Sequence, residues 1–142
     1  MRRFLPAPGS NRSLVIQSNA IWLLGRLAPG TKYEARSVSA VLASLSRSSD
    51  PRLLEGKLQA LGSFTNFPQR VVPVLVTGLT NTAAIDSTLL ALQRFGTSAT
   101  PALYPIALAE TGFIRPAELA LKKADPIAYE RLQVEKASIG QK

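Results

Sequence analysis

Asp50-Pro51-Arg52-Leu53-Leu54-Glu55-Gly56-Lys57-Leu58-Gln59-Ala60-Leu61-Gly62 is the stretch that decides the fold. Asp is a helix-capping residue type, and proline at the first helical position lacks only an N–H that would have no partner there. Leu54, Leu58 and Leu61 then share one helical face with Ala60 beside them. Working outward, the closing Ala60-Leu61-Gly62 has counterparts in Leu23-Leu24-Gly25 and Ala91-Leu92-Gln93. In each copy a cap-type residue (Ser13, Asp50, Asn81) stands eleven residues before the central leucine, and the caps are 37 and then 31 residues apart. A repeat of that length predicts stacked structural units, and stacks of this kind usually present a surface to a partner.

The rest of the chain reads as helix. Val38, Val41, Leu42 and Leu45 fall at i, i+3, i+4 and i+7, as do Val72, Leu75, Val76 and Leu79. Val71-Val72-Pro73-Val74-Leu75-Val76 is rich in β-branched residues and taken alone reads equally as a strand, but Pro73 argues against a central one. Counted from Pro68, Pro73 falls in the second turn of a helix, where it costs one hydrogen bond and a small kink. Tyr104-Pro105-Ile106 holds the equivalent place one unit later. The layout expected is all-α, eight helices in pairs: 12–28 and 34–47, 50–64 and 68–80, 82–96 and 100–110, 114–124 and 126–138. Thr100 and Asp125 are expected to cap, Pro68 and Pro116 to sit in first turns, and Gly30, Gly96 and Gly112 to mark turns. Residues 1–11, with Pro6, Pro8 and Gly9, are expected to form a flexible arm, 12–138 one domain, and 139–142 a disordered tail.

Asp50, Pro51, Ala60, Leu61 and Gly62 match, at the right spacing, the first helix of a HEAT repeat, and the chain resembles the short bacterial, phycobilin-lyase-like kind from about residue 12 to 138. Asn81 through Leu92 looks like the next copy, Ser13 through Gly25 the preceding one, and Ala117, Ala120 and Leu121 a fourth, degenerate one. The family's basic residue in the first helix is replaced by Gln17, Leu54 and Ile85. Arg36 and Arg70 open two second helices, but the inter-helix Asp that often accompanies them is missing. The resemblance implies a right-handed α-solenoid of about four antiparallel helix pairs, with the second helices lining the concave side. The lyase activity of some relatives is not carried over, because the residues for it are not found.

Composition narrows the chemistry. The 142 residues contain no histidine and no cysteine, which removes imidazole acid–base chemistry, Ser–His and Cys–His nucleophiles, and Cys/His zinc sites. Gly25-Arg26-Leu27-Ala28-Pro29-Gly30-Thr31-Lys32 has the glycine spacing of a phosphate loop, but the lysine does not follow the second glycine and a helix precedes it. The acids Asp50 and Asp125 read as caps and Asp86 as a charge at a helix N-terminus. No cofactor and no metal are expected, and the chain is read as not an enzyme. Neither a signal peptide nor a bilayer-spanning run is seen, so the expectation is a cytoplasmic protein.

The net charge is +8, and residues 1–57 carry nine basic against three acidic residues (Glu34, Asp50, Glu55). On second helices, Arg36, Arg47 and Arg70, joined by Lys32, are read either as a basic groove for a phosphate or an acidic peptide or as solvated surface. Trp22, the sole tryptophan, is read as core, as a groove wall, or as a binding hot spot. The final pair carries Lys122, Lys123, Glu130, Arg131, Glu135 and Lys136, which suits a polar capping end. Leu14, Val15 and Ile16 leave the other end apolar, to be covered by the arm or by a further unit, so the chain reads either as a whole stack or as a piece of a longer array. The function expected is a scaffold or adaptor that binds a protein partner through its concave face. The alternative is a basic helical-repeat module that binds nucleic acid.

Overall fold

The computed structural model describes residues 11–47 and 51–140, with Asp50 and residues 1–10 of the arm expected at 1–11 outside that range. Among the described residues there are eight α-helices and no strand. They are α1 (Asn11–Leu27), α2 (Glu34–Arg47), α3 (Pro51–Gly62), α4 (Pro68–Thr77), α5 (Ile85–Phe95), α6 (Thr100–Ala109), α7 (Pro116–Ala124) and α8 (Pro126–Gly140). Short 3-10 turns join α4 to α5 and α5 to α6. The valine-rich stretch is helical, with Val71, Val72 and Leu75 buried. Pro73 and Pro105 both sit inside ten-residue helices, each five residues after the helix's first residue.

Several boundaries differ from expectation for local reasons. Ser13 lies inside α1 instead of capping it. Asn81 does cap, its side chain accepting from the Ala83 N–H at 3.1 Å, but what it caps is the 3-10 turn Thr82–Ala84 ahead of α5. Thr100 is already the first residue of α6, and its hydroxyl donates to Asp125 Oδ2 at 2.7 Å. Asp125 does cap α8, accepting from the Ala128 N–H at 3.1 Å. Residue 11 belongs to α1, and α8 runs through residues 139 and 140. Gly30, Gly96 and Gly112 take the positive φ values of 79°, 55° and 95° that turns demand and other residues resist.

Packing follows the repeat. α1 lies against α3, α3 against α5, and α5 against α7, while α4 and α6 and then α6 and α8 touch on the second side. Gly25 meets Ala60 and Gly62 meets Ala91, so the same pair of small residues sets the spacing at two successive contacts. Leu61, Phe64, Leu75, Leu92, Leu103, Leu121 and Leu132 are fully buried in one continuous core that the stacked helices share. Gly56, in the middle of α3, is different, because a Cβ there meets nothing within 4 Å. Gly56→Ala is therefore expected to raise stability by about 1 kcal/mol, the helix-propensity gap between the two residues, read as a higher midpoint in urea unfolding.

Of the polar residues expected at the C-terminal end, Lys122, Lys123, Glu130, Arg131 and Glu135 are exposed, and Lys136 is the exception. Lys136 turns inward, donating to Glu118 Oε2 at 2.8 Å and to the Glu110 carbonyl at 3.0 Å. The Glu110 carboxylate reaches across the loop to accept from the Ala117 and Glu118 N–H groups, and so caps α7. Glu135 accepts a hydrogen bond from the Tyr104 hydroxyl, and Arg131 lies 5.1 Å above the Tyr104 ring. What α8 shows to solvent includes Ile127, 82% exposed, and Val134, 72% exposed. At the other end Val15, Ile16, Leu23 and Leu27 are exposed along α1.

Candidate functional site

The structure divides the five residues singled out from the sequence. Arg36 is exposed on α2, and Arg70 on α4 reaches back to donate to Ser39 Oγ at 2.8 Å and to the Ala35 carbonyl at 3.5 Å. Lys32, in the α1–α2 loop, holds its ammonium 5.2 Å from the centre of the Tyr33 ring. Arg47 closes α2, and its side chain lies outside the described residues. These cations belong to the α2–α4 side. Trp22 is not among them. It stands on α1, 58% exposed, in a groove formed by the odd-numbered helices.

That groove has a volume of about 330 Å³. Its floor is Gly25, Gly56 and Ala60, residues with little or no side chain. Because Gly25 seats directly on Ala60, where an added Cβ would come within 3.1 Å of the Ala60 Cα, the floor is backbone packed on backbone and cannot easily deform. Ser18, Trp22 and Arg26 rise from α1, Gln59 from α3 and Ser63 from just beyond it, and Arg94 from α5. The Arg26 guanidinium sits 5.2 Å from the Trp22 ring centre, one helical turn along. Arg94 donates to Ser63 Oγ at 3.3 Å, which anchors its guanidinium over the α3 end.

No acid lines the groove, and among the described residues neither Arg26 nor Arg94 forms an ion pair. Glu55, the nearest carboxylate along α3, accepts from Gln59 Nε2 at 3.4 Å, which leaves the Gln59 side-chain carbonyl as an acceptor at the rim. The groove therefore carries positive charge on two of its sides, with an exposed aromatic ring between polar walls. Arg26 and Arg94 were missed in the sequence. The Trp22–Arg26 spacing of four was a usable signal, whereas the position of Arg94 depends on how α5 stacks on α3.

Among the described residues no three acidic side chains come together as a metal site would need. No single described helix is long and apolar enough to cross a membrane. Compared with known proteins, the chain matches no family model, no curated protein and no solved structure at a significant level.

Proposed function

We propose that this protein is a right-handed, HEAT-like α-solenoid that acts without catalysis, as a scaffold or adaptor for a protein partner. The observation that carries the reading is the Trp22 groove, an open trough across three consecutive stacked helices with a half-exposed tryptophan on its wall. Tryptophan and arginine dominate the energy of protein interfaces, and solenoids bind along surfaces built by repeated helices. The groove lies on the first helices of the pairs, which moves the expected contact surface away from Arg36 and Arg70.

The test is affinity capture from nuclease-treated extract with wild type and Trp22→Ala side by side. A protein recovered by wild type and lost with Trp22→Ala is the expected result. Capture that does not depend on Trp22, or that yields no protein at all, overturns it. A second reading, nucleic-acid binding, is favoured by the exposed cations Lys32, Arg36 and Arg70 on the other side. It requires duplex or single-strand binding at about 0.15 M salt that exceeds what a generic basic protein gives.

A further inference from the structure

We infer that the Trp22 groove takes an extended segment of the partner that carries acidic side chains on either side of an apolar one. This rests on the protein-binding reading above and names the chemistry of the partner. Two arginines from different helices, Arg26 and Arg94, border one groove without a carboxylate between them, and Ser63 Oγ accepts one hydrogen bond from Arg94 at 3.3 Å. Each guanidinium presents a planar fork that matches a carboxylate bidentately.

The middle of the groove is of another character. Gly25, Gly56 and Ala60 leave room for a backbone to lie close, and Gln59 offers a carbonyl to one of its N–H groups. Trp22 offers an exposed ring beside that path. A volume near 330 Å³ exceeds what a single inorganic anion fills and suits two or three side chains. A nucleic-acid strand is the poorer fit. Strand-binding surfaces stack successive bases on several rings, and the groove has one ring.

Because Trp22 is the sole tryptophan, its emission reports this groove alone. The wild-type protein is titrated at about 0.15 M salt with a peptide of three Gly-Glu-Leu-Glu units, with its glutamine counterpart, and with single-stranded oligo(dT). The acidic peptide is expected to shift Trp22 emission saturably and to bind at least about ten times more tightly than the glutamine peptide. Arg26→Gln with Arg94→Gln is expected to remove most of that difference. Lys32→Gln with Arg36→Gln, which removes the same charge elsewhere, is expected to leave affinity within about two-fold. Equal binding of the two peptides overturns the acidic assignment, and so does equal loss in both double variants. Tighter binding of oligo(dT) than of the acidic peptide overturns it in favour of nucleic acid. If capture depends on Trp22 but the captured segment is neutral or basic, the inference falls while the protein-binding reading stands.

Discussion

Gly62→Val is expected to lower stability by about 3 kcal/mol and the melting temperature by roughly 10 °C. Gly62 closes α3 with ordinary helical φ, so what requires glycine there is space. A Cβ at that position would stand 2.9 Å from the Ala91 Cβ and 3.0 Å from the Ala91 Cα, with Arg94 Cδ next at 3.6 Å. The clash is with backbone as much as side chain, so rotation of one group cannot relieve it. α3 and α5 must move apart, and the fully buried Leu61 and Leu92 lose contacts as they do. Two comparisons make the account specific. Gly62→Ala is expected to cost less, because it adds one methyl group to the contact where valine adds three carbons. Adding Ala91→Gly to Gly62→Ala should recover part of the loss, since it removes the nearest atom but leaves the Cα. Urea unfolding of these variants beside Gly56→Ala gives the answer directly. If Gly62→Val unfolds within about 0.5 kcal/mol of wild type, α3 and α5 do not meet where described.

The helices were legible because their signals are local. Pro68, Pro116 and Pro126 each stand at or beside the first position of a helix, and Pro73 and Pro105 share a register that a strand could not accommodate. The small residues at 25, 60, 62 and 91 belong to the repeated signature, and they are the points of contact. Caps were read less well, because a capping side chain has more than one N–H within reach. Thr100 serves Asp125, 25 residues away, and Glu110 caps a helix seven residues on. The groove was half legible. Trp22 stood out by type and Arg26 was one turn away, but Arg94 joins them only through stacking. The inward turn of Lys136 was not legible for the same reason. Glu118 and Lys136 are 18 residues apart, and nothing in either neighbourhood signals that they meet. Apolar and polar residues on α8 are not segregated, so Ile127 and Val134 stay outside while Lys136 turns in.

Glu118→Ala is expected to cost about 2 kcal/mol, between the small value of an exposed pair and that of a fully buried one, because the contact is part-buried. The Glu118 side chain is 11% exposed and that of Lys136 17%, and their N···O distance is 2.8 Å. Without the carboxylate, Lys136 keeps only the Glu110 carbonyl, and Gln133 Nε2 loses the acceptor it meets at 2.8 Å. The same pair gives the protein an acid limit. Burial by itself pushes the Glu118 carboxyl up. Hydrogen bonds from Lys136 and Gln133, with the charges of Lys136 and Arg115, outweigh it and hold the group below its ordinary 4.5. The Asp125 carboxyl is also held down, chiefly by the Thr100 hydroxyl and then the Ala128 N–H, against burial. A carboxyl that is more acidic folded than unfolded stabilises the fold above its unfolded value, and that contribution disappears as pH falls through the folded one. Melting temperature is therefore expected to stay level from about pH 7 to 5 and to fall below about pH 4. Glu118→Gln should start from a lower plateau and fall less over that acid range, because the group that would have been protonated is gone. Thermal melts of wild type and Glu118→Gln across pH 3–7 decide it. Parallel curves would mean that Lys136 and Glu118 meet in water, where such a pair contributes little, and that the C-terminal pair is held by its apolar contacts through Leu121 and Leu132.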